Sequence, residues 1–492
     1  MNFIEDVLER FPAARPALVE ITAAGERRVW HFGELIAMSA GLSGAMASRG
    51  VHREDVVMTL IGNRLEWVLA MLACWRMGAI ALPCSTQLRR RDLALRIAAA
   101  NPVLAIGEEE PLGQMPTGVE TMTISEVQTA IDEDLAGEPP VEPADLDPED
   151  PALIVFTSGT TGEPRGALHA QRYLGGQLLQ AEHWLGAQEG DLTWCTAASG
   201  WSKSARNAFI APWLCGAAGL LHAGRFDPAE RLAIAEREGV TVLCQAPTEY
   251  RMLSKRTELR PVAGLRRMVS AGEALNAEVI EAFREATGLS IADGYGQTET
   301  GAVTGIRPGE EPCPGSMGRP LPGLETRIEA LPEREAERTA SNAGELQLRA
   351  VSSPTFFSRY LDAKPFDGEW WPTGDLVSED ARGFLTHIGR ADDLISSAGY
   401  RIGPVEVESA LLSHPAVAEA AVVAAPDPER GSVVRAIVVL REGEPGDALA
   451  AELQEHCRRQ TAPYKYPRIV EFADRLPKTP SGKIKRADLR DE

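Results

Sequence analysis

Ten residues, TSGTTGEPRG from Thr157 to Gly166, set hydroxyls and glycines directly behind the apolar run PALIVF. Glycines let backbone N–H groups approach an anion, the hydroxyls of Ser158, Thr160 and Thr161 can donate to phosphate oxygens, and Arg165 adds positive charge. On composition alone a slack surface linker fits these residues equally well. Two familiar phosphate loops are excluded, because the loop has no Gly-Lys pair of the Walker type and the chain has no GxGxxG dinucleotide fingerprint. No GxSxG nucleophile elbow is present either. The histidines show no ligand spacing, so no structural metal is expected.

The elements that must hold such a loop are legible around it. PALIVF reads as a strand leading into the loop, and LRRMVS leads in the same way into AGEALNAEVIEAFREATG, a helical pattern that stops at Gly288. Each apolar run is expected to be followed by a loop and then a helix. That alternation predicts an α/β architecture, with TSGTTGEPRG and SAGEA at the carboxyl ends of strands, where such sheets bind ligands. Residues 132–151, acidic and rich in proline, predict an extended surface connection, either a boundary or a long loop. Nearer the C-terminus, AVAEAAVVA and VVRAIVVL are β-rich runs around the turn PDPERGS. GDALAAELQEHCRR then places Leu449, Leu453 and Cys457 on one helical face. A small α+β unit joined near GRADD, residues 389–393, is expected.

With 492 residues and 44% hydrophobic content the chain is longer than one typical domain. Its net charge of −21 repels polyanions at long range and argues against a general nucleic-acid or anionic-membrane binder. An anionic ligand must therefore find a local basic site. Cys74, Cys84, Cys195, Cys215, Cys244, Cys313 and Cys457 are scattered without zinc or disulfide spacing, which fits a reducing cytoplasm. No secretory signal or membrane-spanning stretch is expected, and the oligomeric state, homo-oligomer included, stays open.

TSGTTGEPRG resembles the phosphate loop of the adenylate-forming enzymes, which include acyl-CoA synthetases, luciferases and peptide-synthetase adenylation domains. SAGEA, GYGQTETG, TGD, and GRADDLISSAGYRIGP with PKTPSGKIKR follow in the order of that superfamily. RIGPVEVESALLSHPAV and TAPYKYPR look most like its medium-chain acyl-CoA synthetases. The resemblance implies a large N-terminal α/β domain of mixed sheets flanked by helices, residues 1–391, and a small mobile α+β C-terminal domain, residues 392–492, hinged at Asp392. It also implies an ATP-dependent acid:CoA ligase using Mg²⁺ and coenzyme A, which forms an acyl-adenylate and then a thioester.

The residue roles follow from the same resemblance. Thr157, Ser158, Gly159, Thr160, Thr161, Gly162 and Arg165 would close over the β- and γ-phosphates, with Thr298 on phosphate and Glu299 holding Mg²⁺. Many relatives have lysine at Arg165. Gly272, Glu273 and Ala274, with Asp293, Gly294, Tyr295, Gly296 and Gln297, look like the walls around adenine. Asp375, joined by Arg390, would take the ribose hydroxyls, and Arg401 would stay with the nucleotide. Lys483 would swing in to bridge carboxylate and α-phosphate as charge develops. Ala398, Gly399 and Tyr400 would line the thiol tunnel, and Arg430, Arg458 and Arg468, beside Tyr466 and Pro467, would meet CoA. Independently of kinship, residues 458–490 hold ten basic against three acidic residues, a cationic island that suits the phosphates of CoA.

Trp201 lies in the segment that forms the acyl pocket in relatives, and Gly296 stands where acetyl-specific relatives have a blocking tryptophan. The resemblance therefore implies an open pocket and a medium-chain, branched or aromatic acid. Around ASGW there is no aspartate to pair with an amine, and Lys203 stands there instead, which argues against an amino acid and allows a second acidic or polar group on the substrate. Loading of a carrier protein and a catalytically silent nucleotide-binding relative are the alternative readings.

Overall fold

The computed structural model describes residues 1–132, 139–157, 164–273, 275–330, 343–391, 393–397, 400–428, 430–441, 443–462, 464–478 and 483–490, with Ser396, Tyr400 and Arg401 by backbone alone. Two large sheets form the body. The nine-stranded sheet runs from the edge Arg319–Pro320 through Gly301–Gly305, Ile291–Gln297, Arg267–Ala271, Val242–Gln245, Leu192–Cys195, Ala218–His222 and Pro16–Ile21 to Arg27–His31. Its central strands are parallel. They are apolar on both faces because helices cover both, as in Ala277–Thr287, which buries Val279, Ile280 and Phe283 and ends at the left-handed Gly288, φ +78°.

The seven-stranded sheet contains Pro151–Phe156 between Ile80–Pro83, parallel to it, and Gly166–Ala170, antiparallel to it. This departs from the expected strand-loop-helix order: the chain returns from the loop as a strand, with Phe156 opposite Gly166 and Ile154 opposite Leu168. TSGTTGEPRG therefore joins two neighbouring antiparallel strands, and among the described residues no helix begins between them. Residues 139–150 form a loop over the body and not a boundary, for Leu146 is buried and Ala144 N–H donates to Arg76 O at 2.8 Å.

A four-stranded antiparallel sheet, Thr326–Ala330, Ala343–Arg349, Trp370–Glu379 and Leu385–Arg390, completes the larger part. The last unit has its own sheet, in which Val417–Asp427 pairs with Gly431–Leu440, flanked by Ile395–Ser397 and Ile469–Phe472. Its strand side chains alternate between two apolar layers. Ala420 and Val422 join Val407, Leu411, Leu453 and Cys457 beneath the helices, while Ala421 and Val423 meet Leu476 and Leu489 on the other face. A separate core of this kind is what lets a unit turn as one body. Among the described residues no helix is long and apolar enough to cross a membrane.

Candidate active site

The ends of the phosphate loop are tied to each other. Thr157 N–H donates to Arg165 O at 2.9 Å, and Arg165 N–H donates to Thr157 Oγ1 at 3.1 Å. Ser158, Gly159, Thr160, Thr161 and Gly162 lie outside the described residues. The Arg165 guanidinium is engaged by Asp362, with Nη2 at 2.7 Å, and stacks 3.7 Å from the centre of the Tyr360 ring. The Tyr360 hydroxyl in turn donates to Glu299 Oε1 at 2.6 Å. Arg165 is thus a brace between the loop base and the glutamate expected to hold metal, a role that its position in a ten-residue motif does not reveal.

The hairpin Trp370–Glu379 with Leu385–Arg390 places Asp375 directly opposite Arg390. Asp375 Oδ2 accepts from the Tyr295 hydroxyl at 2.6 Å and from Gln297 Nε2 at 2.8 Å, and Arg390 Nη1 lies 3.6 Å away. Its Oδ1 meets His387 Nε2 at 3.1 Å. Burial favours the neutral acid, but His387, Tyr295 and Arg390 outweigh it and hold the carboxyl below its ordinary range. His387 is absent from the sequence reading of the site. The signal was available, since it shares a strand with Arg390 and that strand pairs with the one carrying Asp375.

Tyr295, Gly296 and Gln297 end the strand Ile291–Gln297, which turns through Thr298 and Glu299 into Gly301–Gly305. A Cβ on Gly296 would stand 1.9 Å from Gly301 O and 2.9 Å from Ala302 Cα, at a register shift between Tyr295 and Gly296. In this backbone the two strands approach too closely for a side chain at Gly296 unless one of them shifts. Asp293 is buried and accepts from Gly294 N–H at 3.0 Å. Burial, with the charge of Glu273 added, pushes it well above the usual carboxylate range.

Gly272 and Glu273 leave the strand Arg267–Ala271, and Ala274 lies outside the described residues. Glu273 accepts from Thr248 Oγ1 at 2.6 Å and from Arg251 Nη2 at 2.7 Å. Trp201 stands half-buried before the helix Ser202–Ala205, and Lys203 Nζ donates to Ala271 O at 3.0 Å beside Gly272. Lys483 reaches this same centre: burial and then Lys203 push its ammonium below the usual lysine value, while Glu273, Asp375 and Glu299 act in the opposite sense. Two lysines and three carboxylates from five segments thus share one field.

In the small unit, Asp392, Ala398 and Gly399 lie outside the described residues, and Tyr400 and Arg401 form a strand pairing with Ser397 and Ser396. Arg458 and Arg468 flank the Tyr466 ring at 3.9 and 5.1 Å, next to the buried Pro467. Arg430 sits in the turn before Gly431–Leu440 and its N–H donates to Asp427 Oδ1 at 2.8 Å. The expected cationic island is largely neutralised. Lys465 pairs with Glu406, Lys478 with Glu419, Arg486 with Glu408, and Arg490 with Asp393, all acids outside the stretch in which the charges were counted.

The family model described as AMP-binding enzyme matches residues 4–361, and that of the AMP-binding enzyme C-terminal domain matches residues 406–483. The chain is 37% identical to acyl-coenzyme A synthetase ACSM4, mitochondrial, of Homo sapiens, over 100% of this chain and 90% of that one. It is 36% identical to the uncharacterized acyl-CoA ligase YtcI of Bacillus subtilis (strain 168), over 98% and 94%. Among solved structures, the anthranilate CoA ligase AuaEII in complex with anthranoyl-AMP matches with a TM-score of 0.87 at 31% identity, covering 100% of this chain and 97% of that one.

Proposed function

Because the chain belongs to the family of AMP-binding enzymes, we propose that its site joins a medium-chain, branched or aromatic carboxylic acid to AMP and then to coenzyme A. It is an AMP-forming acid:CoA ligase, as its full-length relatives are acyl-CoA synthetases and ligases. In the first step a carboxylate oxygen attacks the α-phosphorus of ATP and pyrophosphate leaves; in the second the CoA thiol attacks the acyl carbon and AMP leaves. No protein nucleophile is needed. The protein's work is to bind, orient and neutralise charge.

The observation that carries this reading is Asp375, on which Tyr295, Gln297, His387 and Arg390 converge, in the same field as Glu299, Glu273 and Lys483. Asp375, held charged by His387 and Arg390, is the acceptor for the ribose hydroxyls, and Tyr295 and Gln297 fix its orientation. Lys483 brings an ammonium to the carboxylate and α-phosphate. Glu299, a hard oxygen donor braced by Tyr360, suits Mg²⁺, which when bound would neutralise phosphate charge. After pyrophosphate departs, the unit of residues 392–492 turns about Asp392, and Ala398, Gly399 and Tyr400 replace Lys483 at the site, with Arg430, Arg458 and Arg468 toward CoA.

A panel of carboxylic acids with ATP, Mg²⁺ and either CoA or a phosphopantetheinylated carrier, scored for AMP and thioester, tests the proposal. Turnover is expected with CoA and acids larger than acetate. Transfer to the carrier alone would replace the CoA reading, and pyrophosphate exchange at background across the whole panel would remove the ligase.

A further inference from the structure

The segment carrying Lys483 is tied to the start of the small unit by four side chains, none of them among the residues assigned above to the nucleotide. Arg486 and Arg490 belong to the short helix Arg486–Arg490, which begins just after Lys483. Arg486 Nη2 donates to both oxygens of Glu408, at 2.9 and 2.8 Å, and its Nε donates to Oε1 at 3.2 Å. Its Nη1 lies 3.6 Å from Asp393, which also receives Arg490. Glu408, on the helix Pro404–Leu412, further accepts Val422 N–H at 2.9 Å. Asp393 immediately follows Asp392, the proposed hinge.

These are not solvated surface pairs. The side chains of Glu408 and Asp393 keep only 10% and 11% of their exposure. A buried carboxylate without its cation is strongly disfavoured, so the arrangement resists opening. A guanidinium held as a fork also fixes direction, which an ammonium does not. Other described ties on the segment include an antiparallel bridge of Lys478 with Ile484, Lys485 N–H donating to Pro477 O at 3.0 Å, Arg435 Nη1 donating to Leu489 O at 3.0 Å, and Leu489 against Ala421 and Val423. A lysine side chain has four rotatable bonds of its own, so its aim depends on the backbone beneath it being fixed.

We propose that Asp393, Glu408, Arg486 and Arg490 form a clamp that joins the hinge side of the small unit to the lysine segment, so that rotation at the hinge carries Lys483 as part of one rigid body. The four are positioning residues, and the inference rests on the roles given above to Lys483 and Asp392. The clamp bears on the first half-reaction, where the lysine must be aimed, and is dispensable in the second, where the lysine is away.

Full-length Arg486→Gln, Arg486→Lys, Asp393→Asn and Lys483→Ala are compared with the parent in ATP–pyrophosphate exchange and in thioester formation from supplied acyl-adenylate and CoA. Arg486→Gln is expected to lower the exchange kcat about 100-fold, with KM for ATP and the second half-reaction each within about two-fold, since a misplacement of about 1 Å costs a factor of that size. Arg486→Lys should fall between, keeping the charge but losing the fork. Asp393→Asn, nearly isosteric, gives the same selective loss at about ten-fold and serves if Arg486→Gln does not fold. Equal losses in both half-reactions, or none in either, overturn the clamp. If Lys483→Ala itself spares exchange, it is the assignment of Lys483 that fails; if Lys483→Ala loses exchange and the folded clamp variants do not, the clamp alone fails.

Discussion

Asp375 is the residue on which Tyr295, Gln297, His387 and Arg390 converge, and what they converge on is its charge. Its pKa is depressed, so it stays ionised as pH falls through the ordinary carboxylate range, and its contribution to nucleotide binding is lost only below its own lowered value. Asp375→Asn is expected to raise KM for ATP about ten-fold or more, a size set by charged hydrogen bonds, measured by exchange at varied ATP. An unchanged KM would remove the ribose assignment. Asp375 and Lys483 stand out in short motifs, PTGD and SGKIKR, and were legible in the sequence. Tyr360 and Asp362 were not, because each acts on a motif residue from a distant part of the chain and carries no pattern of its own.

At the scale of elements, the site joins the expected strand-to-helix turn from Arg267–Ala271 into Ala277–Thr287 to two hairpins, of which the one at the phosphate loop departs from the expected order. Pro151–Phe156 returns as Gly166–Ala170, and Ile291–Gln297 as Gly301–Gly305. The apolar run PALIVF specified a strand correctly, but the run after the loop, GALHA, is short and ambiguous between strand and helix. Pairing with Pro151–Phe156 on one side and Arg359–Tyr360 on the other decided it. The second hairpin, Ile291–Gln297 with Gly301–Gly305, explains Gly296, where glycine serves two backbones in close approach. Gly296→Ala is expected to destabilise the protein by about 1–3 kcal/mol, the usual range for overpacking, and to lower adenylation of small and large acids alike. A variant of normal stability that loses only the larger acids would restore pocket size as the reason for glycine. Unfolding midpoints and an acid panel together separate these outcomes.

Over the whole molecule, stability toward acid is expected to depend on a buried group outside the nucleotide contacts. His169 is fully buried with its ring 4.2 Å from that of Tyr173, and burial, followed by the charges of Arg206 and Arg172, lowers its pKa to about 3. An unfolded histidine binds its proton near pH 6.5, whereas the folded one refuses it until about pH 3. Below the unfolded value the unfolded state therefore holds more protons, and stability falls with acidification by about 1.4 kcal/mol per pH unit from this group. Urea unfolding at pH 7 and pH 5 should show that slope reduced in His169→Phe; an identical slope would place the acid sensitivity elsewhere. The sequence by itself determined the α/β class, the strand under the phosphate loop, the separate C-terminal unit and the charged residues of the motifs, because hydrophobic period and turn chemistry are written locally. Tertiary structure alone decided which charges are shared. The basic C-terminal stretch looked like an open polyanion site until Glu406, Glu408, Asp393 and Glu419 came back to it, since a Coulomb partner is chosen by distance in space and not along the chain.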